Sequence, residues 1–397
     1  MMSNYHEIWK SLDRHLPAAL ELRQRLHRQP NLSGDESITR DMVLSVLPAT
    51  STPTKVADTG AVVRVGGPGP CVGLRGEMDA LPVVELTGVP WASQRPGVMH
   101  ACGHDVHLAA VVAVARVLHE VGAPTPLLVV LQPREETYPS GARDIAAHGV
   151  LDVEECVAMI GAHLQPALAP GVVACVPGGV NASADEFEIR VQGASGHAAY
   201  PHLTADPVLA MSEIVVALQS IVSRSVDPMH SVVVGVSSVS AGTAANVIPG
   251  SARATGTIRA LKSNTRTLVH KRVADVARHV ARAHRCDAEV VITKGEPVLE
   301  NDPALVGRIS EHLTGQGISV STTLRSLGAD DFSFFSERLP SAMLFVGTET
   351  NEALHSAHFL PSDLDVRRTA QAMLGGYFGA ADGIAQREQP DRVAEHG

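Results

Sequence analysis

The chain has 397 residues, 45% of them apolar and 19% charged, which is enough length for two domains and enough apolar surface for a core in each, and excludes a disordered or fibrous chain. Its net charge of −10 argues against a nucleic-acid surface, which needs clustered Lys and Arg to neutralise phosphate. No apolar run nears the ~20 residues of a membrane span, no signal core stands in Met1–Lys10, and five scattered cysteines without CxxC spacing point to a reduced, cytoplasmic setting.

Leu16, Leu20, Leu22 and Leu26 predict an amphipathic helix over Leu16–Arg28, closed by Pro30. Val62–Val65 and Cys71–Arg75 read as strands, His107–His119 as an apolar helix, and Pro126–Leu131 and Val157–Ile160 as buried strands. This alternation predicts a mostly parallel sheet with flanking helices. The pattern then changes. Glu186–Val191, Ser231–Val239, Ala252–Leu261 and Ala288–Thr293 are strand-like, and Asp206–Ile221 and Thr265–Ala283 helix-like. Together they spell βαββαβ, a ferredoxin-like α+β arrangement. After Pro297 the first pattern resumes, with Met343–Val346 as a strand. The fold class is therefore α/β: residues 1–182 and 295–397 form a discontinuous larger domain, and 183–294 an inserted α+β domain.

Histidine is abundant, at 19 residues. Those set among Arg, Glu and Ala at helical spacing, such as His15, His119 and His279, read as surface residues. His100-Ala101-Cys102-Gly103-His104-Asp105-Val106-His107 is different, because a thiolate and an imidazole two residues apart around a glycine suit a borderline-soft cation. The bland alternative is a His-rich helix N-terminus. Glu135-Glu136 follows a buried strand, where open α/β sheets place ligands, and adjacent carboxylates are costly without a cation. His163 and His355 also follow strands. Donors of the types Cys, His, Glu, His and His exceed the three or four of one zinc ion and suggest a dinuclear centre, with Cys102 as a candidate bridge.

The chain resembles the hippurate hydrolase, indole-acetyl-amino-acid hydrolase and N-acyl-amino-acid amidohydrolase group, within the aminoacylase and glutamate carboxypeptidase superfamily of dinuclear metallopeptidases. The resemblance rests on Gly73-Leu74-Arg75-Gly76-Glu77-Met78-Asp79-Ala80-Leu81-Pro82, the His100–His107 run, Gln132-Pro133-Arg134-Glu135-Glu136, Gly193-Ala194-Ser195-Gly196-His197-Ala198-Ala199, Gly242-Thr243-Ala244-Ala245-Asn246-Val247-Ile248-Pro249 and Leu354-His355-Ser356. It implies Cys102, His104, Glu136, His163 and His355 as ligands of two divalent ions (Zn, Mn, Co or Ni). It implies Glu135 as general base and then acid, and His197 as a group that holds substrate or oxyanion. It makes residues 1–182 and 295–397 the catalytic metal-binding domain and 183–294 a lid and dimerisation domain, in which Asn246 and Arg259 match substrate-binding positions; Asp79 matches an outer acid that orients a ligand. The family usually carries Asp at the position of Glu77, and a more glycine-rich stretch at Ala194-Ser195.

The implied reaction is hydrolysis of the amide of an N-acyl amino acid, giving a carboxylic acid and a free amino acid, in a homodimer or homotetramer joined through the lid. Alternatives within the superfamily are a dipeptidase and a biosynthetic N-acetyl-amino-acid deacetylase. A catalytically silent metal-binding protein is the alternative outside it; retention of Glu135 beside Glu136 argues against that one. With 7 Phe, 4 Tyr and 2 Trp the chain favours aliphatic acyl groups, Phe332, Phe334 and Phe335 being the candidate lining for an aryl one.

Overall fold

The computed structural model describes residues 5–394, with side chains through 386; the first four residues of the Met1–Lys10 segment, which carries no signal core by sequence, lie outside that range. The chain divides into two compact units. The larger comprises Met1–Gly178, Glu300–Leu324 and Phe334–Gly397; the smaller comprises Gly179–Leu299 and Arg325–Ser333. The Arg325–Ser333 segment, which the sequence pattern placed in the larger domain, is tied to the smaller unit by backbone bonds. Ser326 N–H donates to Val180 (2.9 Å), and Ala182 N–H donates to Ser326 and Gly328 (3.2 and 3.0 Å).

The larger unit is built on an eight-stranded sheet. Its strands lie in the order Thr54–Val56, Gly60–Val65, Leu127–Gln132, Cys71–Glu77, Cys156–Gln165, Ser341–Gly347, Val172–Ala174, Ser319–Ser321. The four middle strands, Leu127–Gln132 through Ser341–Gly347, are mutually parallel. Gly60–Val65 and Val172–Ala174 flank them antiparallel. Every residue of Cys71–Glu77, Leu127–Gln132 and Ser341–Gly347 is buried, which is why Leu127–Leu131 and Ala342–Val346 read as unbroken apolar runs rather than as alternation, while Cys71–Glu77 buries Arg75 and Glu77 as a pair. Helix His104–Glu120 is buried on nearly all sides between the sheet and the helices Tyr5–Arg28 and Asp363–Ala394.

Two boundaries differ from the sequence pattern in a way that matters for the site. The buried helix starts at His104 rather than His107, so His104 and His107 share its first turn. Gly103 causes this: at φ 84° it adopts the left-handed conformation that glycine enters freely, and its carbonyl accepts from Val106 and His107 (2.9 and 3.1 Å). An added Cβ there would come within 2.8 Å of Leu164 Cδ1. The strand predicted at Val157–Ile160 runs over Cys156–Gln165, because pairing with Ser341–Gly347 continues through Phe345↔His163 to Gly347↔Gln165. His163 thus sits inside a strand, not after it.

The smaller unit has the βαββαβ order that the alternation predicted. Its sheet runs Val232–Ala241, Ser251–Ala260, Ser183–Gln192, Asp287–Lys294, all antiparallel. Helices Pro207–Arg224 and Ser263–Ala283 pack on it through Met211, Ile214, Leu218, Val269 and Val273. Asp206 starts the first of these by accepting from Val208 and Leu209 N–H (2.8 and 3.2 Å), ahead of Pro207. This helix is the one among the described residues long and apolar enough to cross a membrane, although Glu213 interrupts its apolar run. It buries Ala210, Met211, Ile214, Leu218 and Ile221 against the sheet and exposes Leu209 and Val216.

Candidate metal centre

The carboxyl ends of the four parallel strands supply the polar residues singled out in the larger unit, as ligand positions in open α/β sheets do. Asp79 lies two residues beyond Cys71–Glu77, and Glu135-Glu136 follow Leu127–Gln132. His163 lies near the end of Cys156–Gln165, and His355 follows Ser341–Gly347 after a loop. The loop bearing the two glutamates turns tightly at Gly141, where a Cβ would fall 1.8 Å from the Pro133 carbonyl oxygen. Arg134 braces it, with ion pairs to Asp58 and Asp144 (both 2.5 Å) and a backbone N–H donated to Glu36 (2.9 Å). His355 has φ 67°, unusual for a residue with a Cβ, and its N–H donates to the Ala101 carbonyl at 2.9 Å. That bond ties the His355 loop to the segment bearing Cys102.

All five expected ligands are brought together. One donor atom each from Cys102, His104 and Glu136 lies within 4.8 Å of the others. Cys102 Sγ is 3.4 Å from His163 Nε2, and His355 Nε2 is 3.5 Å from Glu136 Oε1. Glu135 Oε2 stands 3.8 Å from His104 Nε2. The tautomers follow from the hydrogen bonds. His104 Nδ1–H donates to the Asp79 carbonyl (2.8 Å) and His163 Nδ1–H to the Leu164 carbonyl (2.7 Å), leaving both Nε2 lone pairs turned to the cluster. Asp79 accepts from Glu136 N–H (2.9 Å) and Ser33 Oγ–H (2.7 Å), so it holds the glutamate loop and the His104 ring in register.

A cation fits this donor set. His104 Nε2 and Glu136 Oε1 are buried without a hydrogen-bond partner, an arrangement that costs free energy unless something else satisfies it. Thiolate, imidazole and carboxylate together suit zinc and other late first-row ions. The electrostatics say the same. Burial and the neighbouring Glu136 and Glu135 charges push the Cys102 thiol well up. Burial opposes charge on His104, but the hydrogen bond to Asp79 and the Glu77 charge outweigh it and raise the ring to about 9. His355 is raised by the Glu136 carboxylate beside it. Without a cation the cluster therefore holds protons that a metal would displace.

Three residues near the cluster were not on the expected list. Ser33 binds Asp79. Glu77 and His107 lie with His104 and His163 in a second close set of buried groups. The spacing of three between His104 and His107 is the signal that would have found His107, once both are known to be helical.

The lid candidates belong to the smaller unit. His197, in the strand Gly196–His197, pairs with Val247, and Ala198 N–H donates to the Asn246 carbonyl (3.0 Å), so His197 and Asn246 are neighbours. Both are exposed. Ala199 N–H donates to His197 Nδ1 (3.0 Å), which places the proton of the neutral ring on Nε2. Arg259 is half-buried in the strand Ser251–Ala260. Of the three phenylalanines that could line an aryl pocket, Phe332 and Phe335 are fully buried and Phe334 is half-buried.

Residues 73–374 match the model of peptidase family M20/M25/M40. N-acetyldiaminopimelate deacetylase of Halalkalibacterium halodurans is 36% identical over 372 residues, spanning 91% of this chain and 98% of its own. N-acetyl-L-cysteine deacetylase of Bacillus subtilis is 34% identical over 345 residues, spanning 85% and 82%. Among solved structures, the YXEP protein of Bacillus subtilis, described as a dinuclear metal binding peptidase of the M20 family, superposes with a TM-score of 0.81 at 29% identity, over 92% of this chain and 98% of that one. The chain is an amidohydrolase and belongs to peptidase family M20/M25/M40, the superfamily to which its motifs point.

Proposed function

We propose that the protein hydrolyses the amide bond of N-acyl amino acids, releasing a carboxylic acid and a free amino acid. The observation that carries this reading is the convergence of Cys102, His104 and Glu136 with Glu135 beside them, two of the buried donor atoms lacking a hydrogen bond. Cys102, His104, Glu136, His163 and His355 would hold two divalent ions, of Zn, Mn, Co or Ni. When bound, these supply Lewis-acid polarisation of the amide carbonyl and a lowered pKa for water. Glu135 accepts a proton from the attacking water and returns it to the departing nitrogen. His197 Nε2–H is the donor for the oxyanion, and Asn246 and Arg259 hold the substrate carbonyl or carboxylate.

Two curated relatives are named deacetylases, which favours N-acetyl amino acids within this substrate class. Pairing of subunits through the smaller unit is part of the same reading. It is supported by the strand Val232–Ala241, which has a partner on one side only, and by exposed Leu209 and Val216 on the neighbouring helix. The five unpaired cysteines support a reducing, cytoplasmic setting.

The test is amine release from a panel of N-acetyl, longer N-acyl and N-aroyl amino acids, before and after chelation and metal add-back. Hydrolysis should be lost on chelation and restored by at least one of the four metals. Intact, metal-loaded protein that releases no amine from any member would overturn the reaction.

A further inference from the structure

Glu77 and His107 are buried beside the ligand cluster, with donor atoms within 4.8 Å of those of His104 and His163. Such a set has the composition of an ion site, yet Glu77 and His107 are already held by protein groups. His107 Nδ1–H donates to Glu77 Oε2 at 3.2 Å, and His107 Nε2 accepts the Leu164 N–H at 3.1 Å, so this ring has no lone pair to offer. The other oxygen of Glu77 is held by Arg75, whose Nε also donates to Gln132 (2.8 Å). Arg75, Glu77 and His107 are all fully or almost fully buried.

The direction of this chain of bonds is informative. It runs from Arg75 through Glu77 and His107 to the N–H of Leu164, and the carbonyl of the same Leu164 receives the His163 Nδ1–H. His163 Nε2, at the far end, faces Cys102 Sγ. Asp79, two residues after Glu77, does the corresponding work for His104 and Glu136. One strand end thus sends out two arms, each ending on a different part of the donor set.

We propose that Glu77 and His107 are positioning residues that fix the Leu164 peptide, and through it the tautomer and orientation of the His163 ring. The proposal rests on the metal-centre reading above. Glu77 reaches both Arg75 and His107, one through each carboxylate oxygen.

The probe is cobalt(II) added to the metal-free full-length protein, read by its absorption spectrum and by competition with a chelator. The wild type should show a thiolate-to-cobalt band from Cys102 together with ligand-field bands. His107→Phe keeps a ring but removes both bonds; Glu77→Asp keeps the charge and shortens the reach. Each variant should bind cobalt about 10–100-fold more weakly and shift the ligand-field bands while keeping the thiolate band. The smaller change should come from Glu77→Asp, which also carries the test should His107→Phe not fold. Folded variants with wild-type affinity and an unchanged spectrum would reduce the chain of bonds to packing and overturn the proposal. A wild type with no thiolate band would instead defeat the metal-centre reading itself, and this proposal with it.

Discussion

The cluster around His104 and the strand pair around His197 solve opposite problems. At His104 every donor side chain but His355 is buried or nearly so, and ring hydrogen bonds donated to the Asp79 and Leu164 carbonyls, with one donated by Ser33 to the Asp79 carboxylate, set ring tautomers and carboxylate direction in advance. Around His197 the pairing with Val247–Ile248 spans only two residues, and His197 and Asn246 are open to solvent. Burial suits donors for a cation, because adjacent carboxylates, a thiol and imidazoles are stable together in a low-dielectric setting only when positive charge compensates them. Exposure suits a donor that has to meet a substrate arriving from water. The lesson is that preorganisation is concentrated where charge must be confined.

Glu135→Gln tests the buried side most severely. The amide has nearly the same shape but accepts no proton, so bound metal, measured by elemental analysis, should stay at the wild-type level while kcat falls about 10²–10⁴-fold. A variant retaining most of its turnover would remove Glu135 as the base. On the open side, His197→Ala should leave metal content untouched and lower kcat about 10²–10³-fold, the range for losing one oxyanion donor. Unchanged kinetics would make His197 a structural residue and dissolve the contrast.

The smallest expected effect sharpens the comparison within the buried region. His27 and His100 lie with ring centroids 6.4 Å apart and shift in opposite directions. Burial opposes charge on both. At His27 the Asp105 charge and hydrogen bond, helped by Glu85, overcome it and raise the ring from 6.5 to about 9. At His100 burial prevails and lowers the ring from 6.5 to about 4. Protonated His27 therefore contributes stability that is fully present below pH 6.5 and fades as pH rises through about 9; neutral His100 contributes above pH 6.5 and loses its contribution as pH falls toward 4. Denaturant titrations of wild type and His27→Gln across that range should show the stability gap between them closing on the alkaline side. A gap independent of pH would mean that the charge of His27 contributes nothing.

Much of this was legible before any coordinates. The unbroken run Leu127–Leu131 reports a strand covered on both faces, and the alternation in Glu186–Val191 reports one covered on a single face. Cys102 and Glu136 stand out because a thiol near imidazoles, and two adjacent carboxylates, are expensive arrangements that globular chains avoid without a reason. His107 was harder to place. Its role depends on the helix starting at Gly103, and helix starts are poorly marked when the first turn carries His and Asp rather than a Ser or Thr cap. Helix Tyr5–Arg28 shows the same weakness, since its first turns bury Ile8 and Leu12 among charged residues and Pro17 lies inside it.

By itself the amino-acid sequence determined the element types, the interruption of a parallel α/β pattern by a βαββαβ segment, and the identities of the donor residues. Those depend on periodicity and on residue chemistry, both local properties. The tertiary structure alone decided that Cys102 meets His163 across 61 positions of chain, that His104 Nε2 and Glu136 Oε1 are left without a hydrogen bond, and that Glu77 reaches His163 by way of His107 and Leu164. Such contacts follow from strand order and register, and a period of 2 or 3.6 residues carries no information about which strand lies beside which.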